Sequence, residues 1–323
     1  MKAFLKFFII LFFTIAVVNA QSNKVYVTNF NDDFISVIDL NTNKKITDIK
    51  TGKNPHGVDI SPNGKFVAVS NEGDNTLTVI NSETNELIKQ ISVGSRPHQI
   101  AFAKDGKFIF VAINAEDKVD VISTDNWNVE KSIPVGRNPH IVLPSPDGKK
   151  MYVTSEGNNK IVTIDLAKME VTGEIIMYGI PRVPVITSDG KTIYSTLRWF
   201  NGVLKIDTEK NKVVDWIQLA QSKSFPQEGK ASHGPGIHPD GKYLYLTSQI
   251  LNSISVIDIN SLQVIEDIQV GKDPNWIDFT KDGTTAVVSN TADNTASIID
   301  CTANKVIATI PVGKSPKRLV VTK

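Results

Sequence analysis

Cysteine is almost absent from this chain: Cys301 is the single one in 323 residues. An intramolecular disulfide is excluded, and so are zinc sites built on paired cysteines and a CxxCH haem attachment. No GxSxG elbow, HExxH pair, P-loop or Rossmann glycine pattern occurs, so the hydrolases and nucleotide enzymes that carry those signatures are not indicated. Charge of one sign is not in excess either: 35 Lys and Arg stand against 34 Asp and Glu. A balance this even gives no general pull toward nucleic acid or anionic lipid, so a nucleic-acid partner is not expected. Hydrophobic residues at 41% and charged residues at 21% exclude wholesale disorder.

Long apolar runs are missing except at the start. Lys2 and Lys6 precede an apolar stretch from Phe7 to Val18, interrupted only by Thr14, and Val18-Asn19-Ala20 supplies small residues for cleavage. This is the pattern of a signal peptide over residues 1–20, and the stretch is short of the roughly 20 apolar residues a spanning helix needs. The expectation is a periplasmic or secreted protein of one domain, 21–323, monomeric and with no membrane span after cleavage. No cysteine lies near the cut, which excludes a lipid anchor there.

What is abundant is repetition. A tight-turn phrase ends in Gly64, Gly106, Gly148, Gly190, Gly241 and Gly283, at spacings of 42, 42, 42, 51 and 42. Nine residues before each glycine sit Pro55, Pro97, Pro139, Pro181, Ser232 and Pro274, and Pro316 continues the series. Eleven residues after each glycine stand Asn75, Asp117, Asn159, Asn201, Asn252 and Asn294, with Asp33 as the N-terminal copy. Asp39, Asp165, Asp207, Asp258 and Asp300 mark a fourth position, read as turn residues. Within each unit four short strands are separated by turn signals, as in Gly57–Ile60, Phe66–Ser70, Leu77–Ile80 and Glu86–Val93. Four antiparallel strands repeated about every 42 residues make a propeller blade, because a flat stack of such sheets would leave open edges. The N-terminus supplies only strands two to four of a blade and the C-terminus only a first strand, Arg318–Thr322. The fold expected is therefore all-β: a seven-bladed propeller closed by pairing of the last strand with the N-terminal fragment.

Tyr26-Val27-Thr28-Asn29, Tyr152-Val153-Thr154-Ser155 and the Val93-Gly94-Ser95-Arg96-Pro97 type of segment resemble the YVTN family of β-propeller repeat proteins. The resemblance covers essentially the whole chain after the leader and implies fold rather than activity, since such rings serve as binding proteins, surface proteins and parts of redox enzymes. Similar propellers carry the copper-cluster histidines of nitrous oxide reductase and the haem pocket of a cytochrome-type nitrite reductase; lactonases and a streptogramin lyase use comparable rings. Some YVTN proteins bind single-stranded DNA, which the near-neutral charge here argues against.

Function in a symmetric scaffold is to be sought where the copies differ. The residue after the proline anchor reads His56, His98, His140, Arg182, His233, Asn275 and Lys317, and the loop that carries it leads to one mouth of the channel. His56, His98, His140 and His233 are candidate ligands for a transition metal, copper or zinc. The alternative is that each imidazole bonds backbone in its own loop. Parity favours that alternative: Val58 and Ile60 follow at even spacing, so unbroken strand geometry would turn His56 toward the packed side. His238, outside this position, reads as surface. Arg198, Trp199 and Phe200 replace a small polar loop; Arg182, Trp276 and an insertion within 220–230 lie on the same face. Exposed aromatics rimmed by arginine mark recognition surfaces. Gly57, Gly234 and Gly236 fall on innermost strands and either widen the channel or pack closely. Asp59 and Asp278 also lie there, too thin a basis for acid–base catalysis.

The leading expectation is an exported propeller that binds a small anionic ligand, or a metal, over Arg182, Arg198, Trp199, Phe200, His233, Trp276 and Lys317. Two alternatives remain open: a metal-dependent enzyme (a copper oxidoreductase, or a lyase or lactonase) and a surface scaffold for a protein partner.

Overall fold

The structure, a computed structural model, describes residues 23–219 and 230–322. The leader and all but the last residue of the insertion lie outside them. Twenty-eight strands form seven four-stranded antiparallel sheets. Blade 1 joins both ends of the chain: Pro316–Val321 pairs with Lys24–Asn29, followed outward by Phe34–Asp39 and Lys44–Lys50. Blades 2 to 7 follow in chain order, and their innermost strands begin at Pro55, Pro97, Pro139, Pro181, Ser232 and Pro274. The expected closure is thus present, with Tyr26 opposite Val320. Among the described residues no helix is long and apolar enough to cross a membrane.

The two middle strands of each blade are largely buried on both faces because a blade lies against each side of them. Val58, Val67, Val69 and Ile80 of blade 2 pack with Tyr26, Ile35, Val37 and Val320 of blade 1. Outermost strands bury little: in Leu87–Ser92 only Ile91 is buried. The turn glycines take φ between 68° and 74°, a region open to glycine. Asn75, Asp117, Asn159, Asn252 and Asn294 are also left-handed, as their residue types suggested. Blade 5 departs from this rule, since Trp199 at φ 72° takes the left-handed position there instead of Asn201. The recurrent aspartates close turns by accepting backbone N–H groups, as Asp39 does from Asn41 at 2.8 Å and Asp300 from Thr302 at 2.8 Å.

The innermost strands are not regular. In blade 2 the pairing runs Pro55 with Asn71 and then Val58 with Val69, so His56 and Gly57 together face Ser70. This is a β-bulge, and it cancels the parity that would have sent the histidine to the packed side. A hydroxyl fills the bulge in six blades. Ser70 accepts the Gly57 N–H at 2.8 Å and donates to the His98 carbonyl of the next blade. Thr28 likewise accepts the Arg318 N–H at 2.9 Å and donates to the His56 carbonyl at 2.9 Å. Asp59 and Asp278 tie neighbouring inner strands by accepting N–H groups from Phe102 at 2.8 Å and Val321 at 2.9 Å. A Cβ on Gly57 would strike the His98 carbonyl, and one on Gly234 would stand 2.5 Å from the Asn275 carbonyl. These two glycines permit close strand approach rather than a wider channel.

Candidate functional site

Each bulge aims the residue after the proline anchor into the channel, and the seven inner strands bring those residues to one level. A cavity of about 380 Å³ forms there, bounded by Phe30, Glu72, His56, His98, His140, Arg182, His233, Asn275, Lys317 and Arg318 among others. A second, largely apolar chamber of about 760 Å³ lies beyond, lined by Ile100, Ile141, Trp276, Phe279 and neighbours. Gln249, Asp273 and Lys230 complete the rim of the upper cavity.

The four histidines are buried, and three of them touch in sequence. His56 and His98 have ring centroids 3.8 Å apart, and His98 and His140 are 4.2 Å apart. His140 Nδ1 lies 3.2 Å from the Arg182 carbonyl, and His233 Nδ1 lies 2.9 Å from the Asn275 carbonyl, so both nitrogens act as donors. His233 Nε2 in turn accepts from Arg182 at 3.4 Å. With both ring nitrogens engaged, His233 stands outside the potential metal donors. His56 Nδ1 is 3.1 Å from Glu72 Oε2, yet the approach is not aligned for a hydrogen bond, and His98 Nδ1 has no partner among the described residues.

Burial is the main force that holds all four imidazoles well below their ordinary pKa; Arg318 and Arg182 add to it in every case. They are neutral at physiological pH. Arg182 pairs with Glu156 at 3.1 Å, and Arg198 approaches the same carboxylate at 3.6 Å. Lys317 sits 5.9 Å over the Phe30 ring, and burial lowers its pKa. Burial raises the carboxyl of Asp273.

Arg318 is the residue that sequence reasoning passed over. It is 1% exposed, among the largest fully buried side chains, and lies with its guanidinium carbon 4.3 Å over the Trp276 ring. One Nη1 hydrogen bond reaches Asn275 Oδ1 at 3.0 Å, while Nε and Nη2 have no partner. Burial, then repulsion from Arg182, lowers its pKa to about 9, so it remains charged at neutral pH. It follows Lys317 by one residue, and the bulge is why both reach the channel. Glu72 and Glu156 were missed for a related reason: each opens a loop that looks merely small and polar. Their repeat position, which reads Phe30, Glu72, Asn114, Glu156, Arg198, Gln249 and Thr291, forms the next ring at the mouth and varies as freely as the histidine position.

The other expected residues separate. Arg182, His233 and Lys317 line the cavity. Arg198 reaches it only through Glu156. Trp199 is 45% exposed on the surface, and Phe200 packs against the cluster containing Leu197 and Leu204. Trp276 faces the lower chamber beneath Arg318. His238 is only partly exposed: it stacks on Tyr245 at 6.0 Å, its Nε2 is 2.9 Å from the Gly283 carbonyl, and its Nδ1 is 2.9 Å from Asp240.

Comparison with known proteins adds the family and the fold. A family model described as a YNCE-like beta-propeller matches residues 11–322. No curated protein matches the chain. Among solved structures, hydrazine synthase of Kuenenia stuttgartiensis superposes with a TM-score of 0.78 at 20% identity, covering 90% of this chain and 99% of that one. The periplasmic gluconolactonase PpgL of Pseudomonas aeruginosa gives 0.76 at 19% identity, covering 94% and 99%. The dihydro-haem d1 dehydrogenase NirN, in complex with DHE, gives 0.70 at 15% identity, covering 92% and 75%. At these identities the likeness is one of fold.

Proposed function

The chain belongs to the YNCE-like β-propeller family, and from that premise we propose that it is an exported binding protein for a small organic anion held in the channel mouth. The observation that carries this reading is Arg318. A buried guanidinium without a carboxylate partner is costly to hold in a fold, and two of its donors point at no acceptor. A carboxylate or phosphate matches that planar fork, and charge-assisted bonds are the strong ones. Charge around the cavity favours the same class of ligand: Arg182, Lys230, Lys317 and Arg318 line it against Glu72 and Asp273. Its volume of about 380 Å³ suits a small metabolite. Export is supported by Lys2, Lys6 and the apolar run that follows.

The test is a thermal-shift screen of mono- and dicarboxylates and phosphate esters, followed by calorimetric titration of each hit. Binding should weaken about 10- to 1000-fold in Arg318→Ala, as expected when a charged partner of a buried anion is removed. Hits that bind Arg318→Ala as tightly as the parent, or a screen in which no anion raises the melting temperature, overturn the proposal.

A further inference from the structure

We propose that His56, Glu72 and His98 form a site for one divalent first-row transition ion. One ligand atom from each of the three lies within 4.8 Å of the other two. Two imidazoles and a carboxylate are a donor set suited to Zn(II), Cu(II) or Fe(II), and poorly suited to Mg(II) or Ca(II), which select oxygen. Donors around a tetrahedral ion at about 2.1 Å stand roughly 3.4 Å apart, so the atoms must close by about 1.4 Å at most.

A second observation points to a ligand at the same place. His56 Nδ1 and His98 Nδ1 are buried nitrogens without a hydrogen-bond partner, where buried polar atoms ordinarily have one. Neutral imidazole is the coordinating form. Glu72 is held by Arg96 at 3.3 Å, an arginine whose side chain is 56% exposed and can swing into solvent. Histidines 140 and 233 are left out. Neither belongs to the group of ligand atoms within 4.8 Å of one another, and His233 also has both ring nitrogens engaged.

The neighbouring cations Arg318, Arg182 and Lys317 oppose a metal ion, while the Glu72 carboxylate offsets them. This yields a sharp contrast with the anion reading, on which the metal site does not depend. Replacing Arg318 with Gln should weaken anion binding about 10- to 1000-fold, yet leave metal binding intact or tighten it.

The experiment titrates Zn(II) and Cu(II) alone, with no added organic anion, into the protein and into Glu72→Gln, His98→Gln and Arg318→Gln. Zn(II) should raise the melting temperature of the parent through preferential binding to the native state. Glu72→Gln and His98→Gln should each weaken binding by about tenfold or more. The Cu(II) EPR spectrum of the unaltered protein should carry superhyperfine coupling from two imidazole nitrogens, a reading that needs no variant to fold. An unchanged melting temperature in Zn(II), an equal response in Glu72→Gln and His98→Gln, or coupling from three or more nitrogens each overturns the site. Loss of metal binding in Arg318→Gln overturns the charge argument that separates the two ligands.

Discussion

The guanidinium of Arg318 lies 4.3 Å over the ring of Trp276, although the two residues belong to the first and the last blade of the series. The pair forms part of the partition between the polar and the apolar chamber, since Arg318 lines one and Trp276 the other. An indole face attracts the cation but accepts no directed bond from Nε or Nη2.

This arrangement predicts opposite effects on stability and binding. Arg318→Met keeps an apolar stem over Trp276 and removes a buried charge that lacks a counter-ion. Folding stability should be unchanged or higher by about 1–4 kcal/mol, while the anion is no longer retained. Urea unfolding together with calorimetry checks both. A variant destabilised as strongly as a core truncation would show that the guanidinium serves the fold.

Acid should destabilise the protein earlier than its carboxylates would. His56, His98, His140 and His233 are kept neutral by burial first, with neighbouring histidines and arginines adding to it. In the unfolded chain a histidine takes its proton near pH 6.5, so below that value the unfolded state binds more protons. Stability is therefore complete above about pH 7 and falls as pH drops, by up to about 1.4 kcal/mol per unit for each histidine, until the lowered native pKa is reached. Melting temperatures should decline steeply below about pH 6.5, less so in His140→Gln. A flat profile down to pH 5 would contradict neutral burial.

Closure should be essential and its hydroxyl latch measurable. Removing residues 316–323 exposes the edge of Lys24–Asn29 and should leave an aggregating, poorly folded chain. Thr28→Val is the milder probe. It leaves the Arg318 N–H and a share of the His56 carbonyl unpaired, at about 1–3 kcal/mol for each group. Denaturant titration measures this, and equal stability of Thr28→Val would deny the latch.

Cys301 should be inert in the native protein. Burial pushes its thiol up to about 12, and it packs against the cluster containing Tyr245 and Phe279. Labelling by a thiol reagent at about pH 8 should be slow until denaturant is added, because the thiolate is the reactive species. Rapid labelling of the folded protein would contradict this burial.

The architecture was legible because turn glycines, prolines and aspartates report local backbone needs, and those needs repeat. The mouth was legible as a level and in those members that follow the proline anchor, but not in Arg318, Glu72 and Glu156. The parity of Val58 and Ile60 pointed His56 the wrong way, because a bulge inserts an extra residue at His56-Gly57 and no residue type announces it. The same bulge hid Arg318, which takes the position of Gly57 and Trp276 in other blades and seemed to belong to strand packing. Glu72 and Glu156 could have been found by comparing loop openings across blades, since that position varies in charge as the histidine position does. Trp199 drew notice for its size, yet its left-handed backbone turns it outward.

Blade 1 is assembled from both ends of the chain, and Arg318 lies on its closing strand. In chain order that strand follows every other strand of the ring. Before it pairs, the inner edge of Lys24–Asn29 is open and the channel lacks the Arg318 guanidinium. If the proposed function holds, ligand capture depends on the closing strand: a molecule clipped there by a protease would lose its seam and the Arg318 donor together, and the fragment would not compete for ligand with intact copies.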